Sequence, residues 1–233
     1  MIVRPADGVL HLISQPDHAA LARRVMERWQ PLEGEARREV ILLAIEQHDN
    51  GWRELDEAPL VDPATGGLAD FVHVHADLRQ GVWLRGSTRA AGMHPWAGAL
   101  VAHHAISVYQ RFRQDPDWTG FFADMETRRA RLVEAAALTM QELAADYVFL
   151  RLGDLVSLAF CTRSAADTRH AGSRLRLVGN RVVVEPDPFG DAEVPFSVPA
   201  RVIADRRYAS DADLRNACRA AETVVLHGIA AGA

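Results

Sequence analysis

A chain of 233 residues that is 48% hydrophobic and 24% charged is long enough to bury a core and has the balance of a folded globular protein. All 26 basic residues are arginine. Without lysine, Schiff-base chemistry and a P-loop lysine are excluded, while ten histidines offer metal ligands and groups that titrate near neutral pH. The net charge of −5 argues against a duplex nucleic-acid partner.

Two strands are expected within residues 2–14 around the turn Pro5-Ala6-Asp7-Gly8. A helix follows from Asp17 to about Trp29, with Leu21, Ala22, Val25 and Trp29 on one stripe, and a second from about Glu35 to His48, with Val40, Ile41, Ala44 and Ile45 inward. Residues 50–93 lack periodicity and read as a long ordered loop with at most a short helix. Further helices are expected from Pro95 to about Arg113, from Asp117 towards Asp146, and from Tyr147 to Cys161. Residues 174–185 read as a hairpin around Gly179-Asn180, and Val194–Ala204 as a strand. Ser210 caps a short helix to Ala221, and Thr223–Ile229 is a last strand. The pattern is α+β in one domain, 1–233, with helices over about 15–165 and β-rich parts at 1–14 and 174–229. Its terminal strands are able to share a sheet.

The strongest local signal is Glu46-Gln47-His48-Asp49-Asn50-Gly51-Trp52. His48 lies four residues after Ala44 and eight after Val40, on the buried stripe of its helix, and Asp49 follows at the helix end. An imidazole and a carboxylate facing a core are expensive to bury unless something compensates their polarity, and a divalent metal ion does so. His18 shares the inward side of Leu21, Ala22 and Val25. Asp154 sits four residues after Leu150 and four before Leu158, in the middle of an apolar stripe, so it needs a partner: an ion, or an arginine such as Arg151 or Arg163.

The order His18, His48-Asp49, Asp154 on successive helices resembles the HD-domain superfamily of metal-dependent phosphohydrolases. More narrowly, Gln15-Pro16-Asp17-His18-Ala19, the words from Glu46 to Trp52 with Asp56-Glu57-Ala58-Pro59, and Phe196-Ser197-Val198-Pro199-Ala200 are similar to a bacterial HD-like family of unknown function. The resemblance implies an all-helical HD-like core with a small sheet from the chain's two ends. It also implies a metal site on His18, His48, Asp49 and Asp154, holding one or two ions among iron, manganese, zinc and nickel. Two-metal members add histidines between the doublet and the last aspartate. Here the candidates are His73, His75, His94, His103 and His104. His94 and His104 on one helix would be ~15 Å apart and could not readily share a metal pair. His104 shares a stripe with Trp96, Leu100, Ser107 and Val108 and is the better ligand. His94-Pro95-Trp96-Ala97-Gly98 before His103-His104 is similar to the cyclic-dinucleotide phosphodiesterase branch, but the words are closer together and no Gly-Tyr-Pro follows.

The expected activity is hydrolysis of a phosphate ester or nucleotide, with His103 protonating the leaving oxygen and Arg53 and Trp52 holding the substrate. Two alternatives share the scaffold: a di-iron oxygenase, which a histidine from the 73–94 region beside His104 would favour, and a non-catalytic binding protein, which an ion-free site with Asp154 paired to an arginine would favour. The partner is a small-molecule substrate rather than nucleic acid or membrane, with a homodimer as a further possibility through the β-rich tail. With only Cys161 and Cys218, no disulfide framework and no start resembling a signal peptide, a cytoplasmic setting is expected.

Overall fold

The structure is a computed structural model that describes residues 1–164 and 166–233. Ser14 starts the helical part: its hydroxyl accepts from the backbone N–H of Asp17, Pro16 occupies the first turn, and helix α1 runs Gln15–Met26. After a single turn, α2 (Gln30–Glu33), α3 covers Arg38–Gln47 and ends at His48. A 3-10 turn, Asn50–Trp52, leads into the short α4, Arg53–Glu57.

The segment expected as loop instead contains α5, an 18-residue helix over Ala76–Met93. Its buried residues, Val82, Trp83, Gly86, Ser87 and Ala90, follow helical spacing, but three of the five are small and add little to an apolar pattern. They are small because α5 crosses the 50–52 turn at backbone distance: a side chain at Gly51 would collide with the carbonyl of Val82.

Helix α6 spans Pro95–Val108 and stops short of Arg113, where 3-10 turns take over. Helices α7 (Thr119–Ala135) and α8 (Met140–Cys161) meet at residues 136–139 rather than at 146/147. A capping box sets the break, with the Thr139 hydroxyl on the Glu142 N–H and the Glu142 carboxylate on the Thr139 N–H and hydroxyl.

The expectation of an all-helical core with a small sheet is wrong. The described residues form a seven-stranded mixed sheet in the order β1-β2-β6-β7-β5-β4-β3. The strands are β1 (Ile2–Ala6), β2 (Val9–Ile13), β3 (Thr168–His170), β4 (Ser173–Val178), β5 (Arg181–Glu185), β6 (Val194–Ala204) and β7 (Glu222–Gly232). All neighbours are antiparallel except β5 and β7. The 11-residue strands β6 and β7 make the difference. They pair along most of their length and join the N-terminal hairpin to the C-terminal strands as one sheet.

Strand β6 alternates, with Val194, Phe196, Val198 and Ala200 buried in the main core that α1 and α8 share. Leu10, Leu12 and Ile203 belong to a second, smaller core with Tyr208, and Leu214 and Cys218 come from α9 (Asp211–Ala220). Helices and sheet therefore form one packed unit in which the sheet is a principal layer.

Candidate metal centre

Four helical segments each deliver polar side chains to one buried point. His18 comes from the first turns of α1, and His48 and Asp49 from the end of α3. His104 comes from α6 and Asp154 from the middle of α8. None is more than 7% exposed. Gly153 lets α8 come close enough, since a Cβ there would meet Met26, Ile45 and Ala22. A second buried network ties the same helices together. Asp146 of α8 takes a two-pronged hydrogen bond from Arg37 at 2.6 and 3.0 Å and a third, at 2.8 Å, from the Trp96 indole of α6.

Hydrogen bonds fix which nitrogen of each imidazole faces inward. The Nδ1 of His48 donates to the Ile45 carbonyl at 2.7 Å. The Ser157 hydroxyl spends its proton on the Asp154 carbonyl at 3.0 Å, so it accepts from Nδ1 of His18 at 2.7 Å. The Tyr147 hydroxyl takes Nδ1 of His104 at 3.1 Å. Each Nε2 is left to the centre, the arrangement in which outer partners orient metal-ligating histidines.

The Nε2 atoms of His18 and His48 face one another at 3.1 Å. With both Nδ1 atoms protonated, two lone pairs point at the same space, which a metal ion or a proton between them makes favourable. Asp49 Oδ2 lies 3.0 Å from the first and 3.4 Å from the second. Asp154 Oδ1 lies 3.7 and 3.5 Å from them. Ligands around one ion at bonds of about 2.1 Å stand about 3.0 to 3.4 Å apart, so His18, His48 and Asp49 fit as they stand and Asp154 lies a few tenths of an ångström wider. His104 Nε2 sits on the other oxygen of Asp154, at 3.8 Å. The groups could hold a metal ion as His18, His48 and Asp49, or as His48, His104 and Asp154.

The electrostatics agree. Burial works against a proton on His48, but Asp49 and Asp154 outweigh it and hold its pKa up at about 9. Burial would raise both carboxyls, yet both are held below their ordinary range, Asp49 by His48 and His18, Asp154 by its bond to His48 and by His104 and Arg151. His104 is lowered to about 3, first by burial, and stays a neutral donor. The centre demands positive charge, and a proton on His48 is what it takes when no ion supplies it.

Asp49, His104 and Asp154 open onto a cavity of about 260 Å³. Trp52, buried and edge-on to Phe71, forms part of its wall. Arg53 does not line it: it is exposed and lines a separate groove with Ser14, Asp17 and Asp56. His103 also lies elsewhere. Its Nδ1 meets Arg129 at 3.0 Å, and burial together with that charge lowers it to about 4. His73 and His75 are exposed, beside Asp70 and Asp77, and His94 caps α6 by accepting from the Trp96 N–H.

The cavity has polar groups that the sequence did not single out. The carbonyl oxygen of the Gln15 side chain and the indole N–H of Trp83 are buried without a hydrogen-bond partner, and both residues line it. Arg79, Arg111 and Arg151 line it too. Arg151 pairs with Asp154 Oδ2 at 2.5 Å, the oxygen that His104 also faces, and leaves Oδ1 to His18 and His48. Arg79 and Trp83 are four residues apart on α5, so a helical reading of 76–93 would have put them on one face.

Fold and site thus define an α+β protein with a buried His/Asp cluster able to hold a metal ion at the base of an arginine-lined cavity. Residues 1–205 match the family described as "Protein of unknown function (DUF3891)", and the chain belongs to it. No curated protein and no solved structure matches the chain. Among the described residues no helix is long and apolar enough to cross a membrane.

Proposed function

We propose that the protein is a metal-dependent hydrolase of the HD type that acts on a phosphate ester or nucleotide. The observation that carries this reading is the convergence of three inward-facing Nε2 atoms and two carboxylates at the base of a cavity whose walls carry three arginines. His18, His48, Asp49 and Asp154 would hold the ion, with His104 as a fifth ligand or as part of a second site. Iron, manganese, zinc and nickel all suit such a donor set. A bound divalent ion would supply a water of lowered pKa and polarisation of the phosphoryl group.

The chain's own residues do the rest. Arg151 already reaches Asp154 and faces the cavity, where its planar fork suits phosphoryl oxygens. The unpaired Gln15 oxygen and Trp83 N–H offer one acceptor and one donor to orient the bound molecule. Trp52, Trp83 and Tyr109 exclude water from one side.

Elemental analysis of protein purified without added metal, followed by a phosphomonoester panel, tests the proposal. Bound first-row metal and hydrolysis that Asp49→Ala abolishes are expected. Protein that takes up no metal, or hydrolysis unchanged in that variant, refutes it. A second reading, a binding protein that keeps the shell without catalysis, draws on the Arg151–Asp154 pair. Stoichiometric metal uptake without turnover of any phosphoester would favour it. A histidine from 73–94 beside His104 would have favoured the di-iron reading, and His73, His75 and His94 stand beside Asp70, Asp77 and the start of α6 instead.

A further inference from the structure

We propose that the cavity takes a small phosphate monoester bearing a second anionic group, which Arg79 and Arg111 grip at the mouth. The proposal rests on the hydrolase reading only in setting the phosphoryl group over the His/Asp cluster.

Charge balance carries the argument. The protein is acidic, and Arg151, the third arginine of the cavity, is paired with a carboxylate, Asp154. Among the described residues Arg79 and Arg111 have no carboxylate within salt-bridge reach, although both line the cavity. The cavity's own carboxylates, Asp49 and Asp154, are engaged by the histidines and Arg151, and neither reaches Arg79 or Arg111.

Aromatic rings hold these two guanidiniums in place instead of acids. Arg79 lies 5.5 to 5.8 Å from the ring centres of Tyr109, Phe112 and Trp118, and Arg111 lies 4.8 Å from that of Phe112. Trp118 stacks on Phe112 at 4.8 Å and on Tyr109 at 4.6 Å, so the platform is rigid. Cation–π contact orients a guanidinium without neutralising it or using its N–H groups. The Nε of Arg79 is buried with no acceptor. Both guanidiniums lie within about 6 Å of the Phe112 ring centre and both line the cavity, with N–H groups free for an anion.

Size sets the rest. A volume of about 260 Å³ falls below the ~300–1,000 Å³ of pockets for drug-sized ligands. A molecule that spans cluster and mouth must be short, with its two anionic groups only a few bonds apart.

Two probes of nearly equal size isolate the second group: phosphoglycolate, with a carboxylate, and ethyl phosphate, with a methyl in its place. Binding is followed through tryptophan fluorescence, since Trp52 and Trp83 wall the cavity. The wild type should bind phosphoglycolate at least about tenfold more tightly, the scale of a charge-assisted contact. Arg111→Gln, on an exposed turn, should remove most of that preference and change ethyl phosphate affinity less than about threefold. Arg79→Gln should do the same, and if loss of its ring contacts unfolds that variant, Arg111→Gln alone decides. Equal affinities in the wild type, or a preference that survives Arg111→Gln, overturn the proposal. Chelator-stripped protein should keep the preference, because neither arginine is a ligand. Preference without any metal-dependent hydrolysis would refute the hydrolase reading and leave the anion site standing.

Discussion

Metal uptake should be strongly pH-dependent, and His48 is the reason. Its Nδ1 hydrogen is committed to the Ile45 carbonyl, so the proton held up to about 9 sits on Nε2, the atom an ion would need. At pH 7 the group lies two units below that value. Freeing Nε2 then costs about 2.7 kcal/mol, a factor of about 100 in apparent affinity. Asp49 and Asp154 are already ionised and His104 already neutral, so they add no such penalty. Zinc affinity of stripped protein, measured by calorimetry in chelator-buffered solutions, should rise about tenfold per unit from pH 6 to 8. Buffers of different ionisation enthalpy should show about one proton released per ion. The same shift fixes the sign for the metal-free fold. A folded-state value raised above 6.5 means a stabilisation that is whole below 6.5 and lost as pH rises through about 9. Affinity that stays flat from pH 6 to 8, or binding without proton release, would refute the reasoning.

Asp146→Ala leaves the buried Trp96 indole without its acceptor and Arg37 with Glu142 alone, and should cost about 1–3 kcal/mol in urea denaturation. Gly51→Ala drives a methyl into the α5 backbone at Val82 and should cost about 1–3 kcal/mol by thermal melt, with metal affinity lowered because Asp49 moves with the turn. Arg53→Ala should alter phosphoester turnover less than about twofold and Arg151→Gln at least about tenfold, since only Arg151 faces the cavity. Equal losses in the last pair would mean that the substrate reaches the groove at Arg53.

Helical periodicity is a property of a dozen adjacent residues, so the inward aim of His18, His48, His104 and Asp154 could be read from the chain alone. The cap at Ser210 and the hairpin over 174–185 were legible for the same local reason. Helix α5 was not, because its buried face is built from Gly86, Ser87 and Ala90, whose role is close approach to a turn distant in the chain. The roles given to Arg53 and His103 rested on nearness in sequence to the doublet and to His104, which does not fix the direction of a side chain.

The sequence by itself determined the chemistry available: imidazoles and carboxylates for a cation, arginine for an anion, no lysine, and the helical faces on which the ligands sit. Only the tertiary structure decided that these faces meet at one point, that Arg79, Arg111 and Arg151 line one cavity with them, and that the two ends of the chain build a seven-stranded sheet rather than a small one. Those outcomes depend on contacts between residues far apart in the chain, such as β6 with β7 and α8 with α1, where packing and backbone hydrogen bonding override what each segment signals alone.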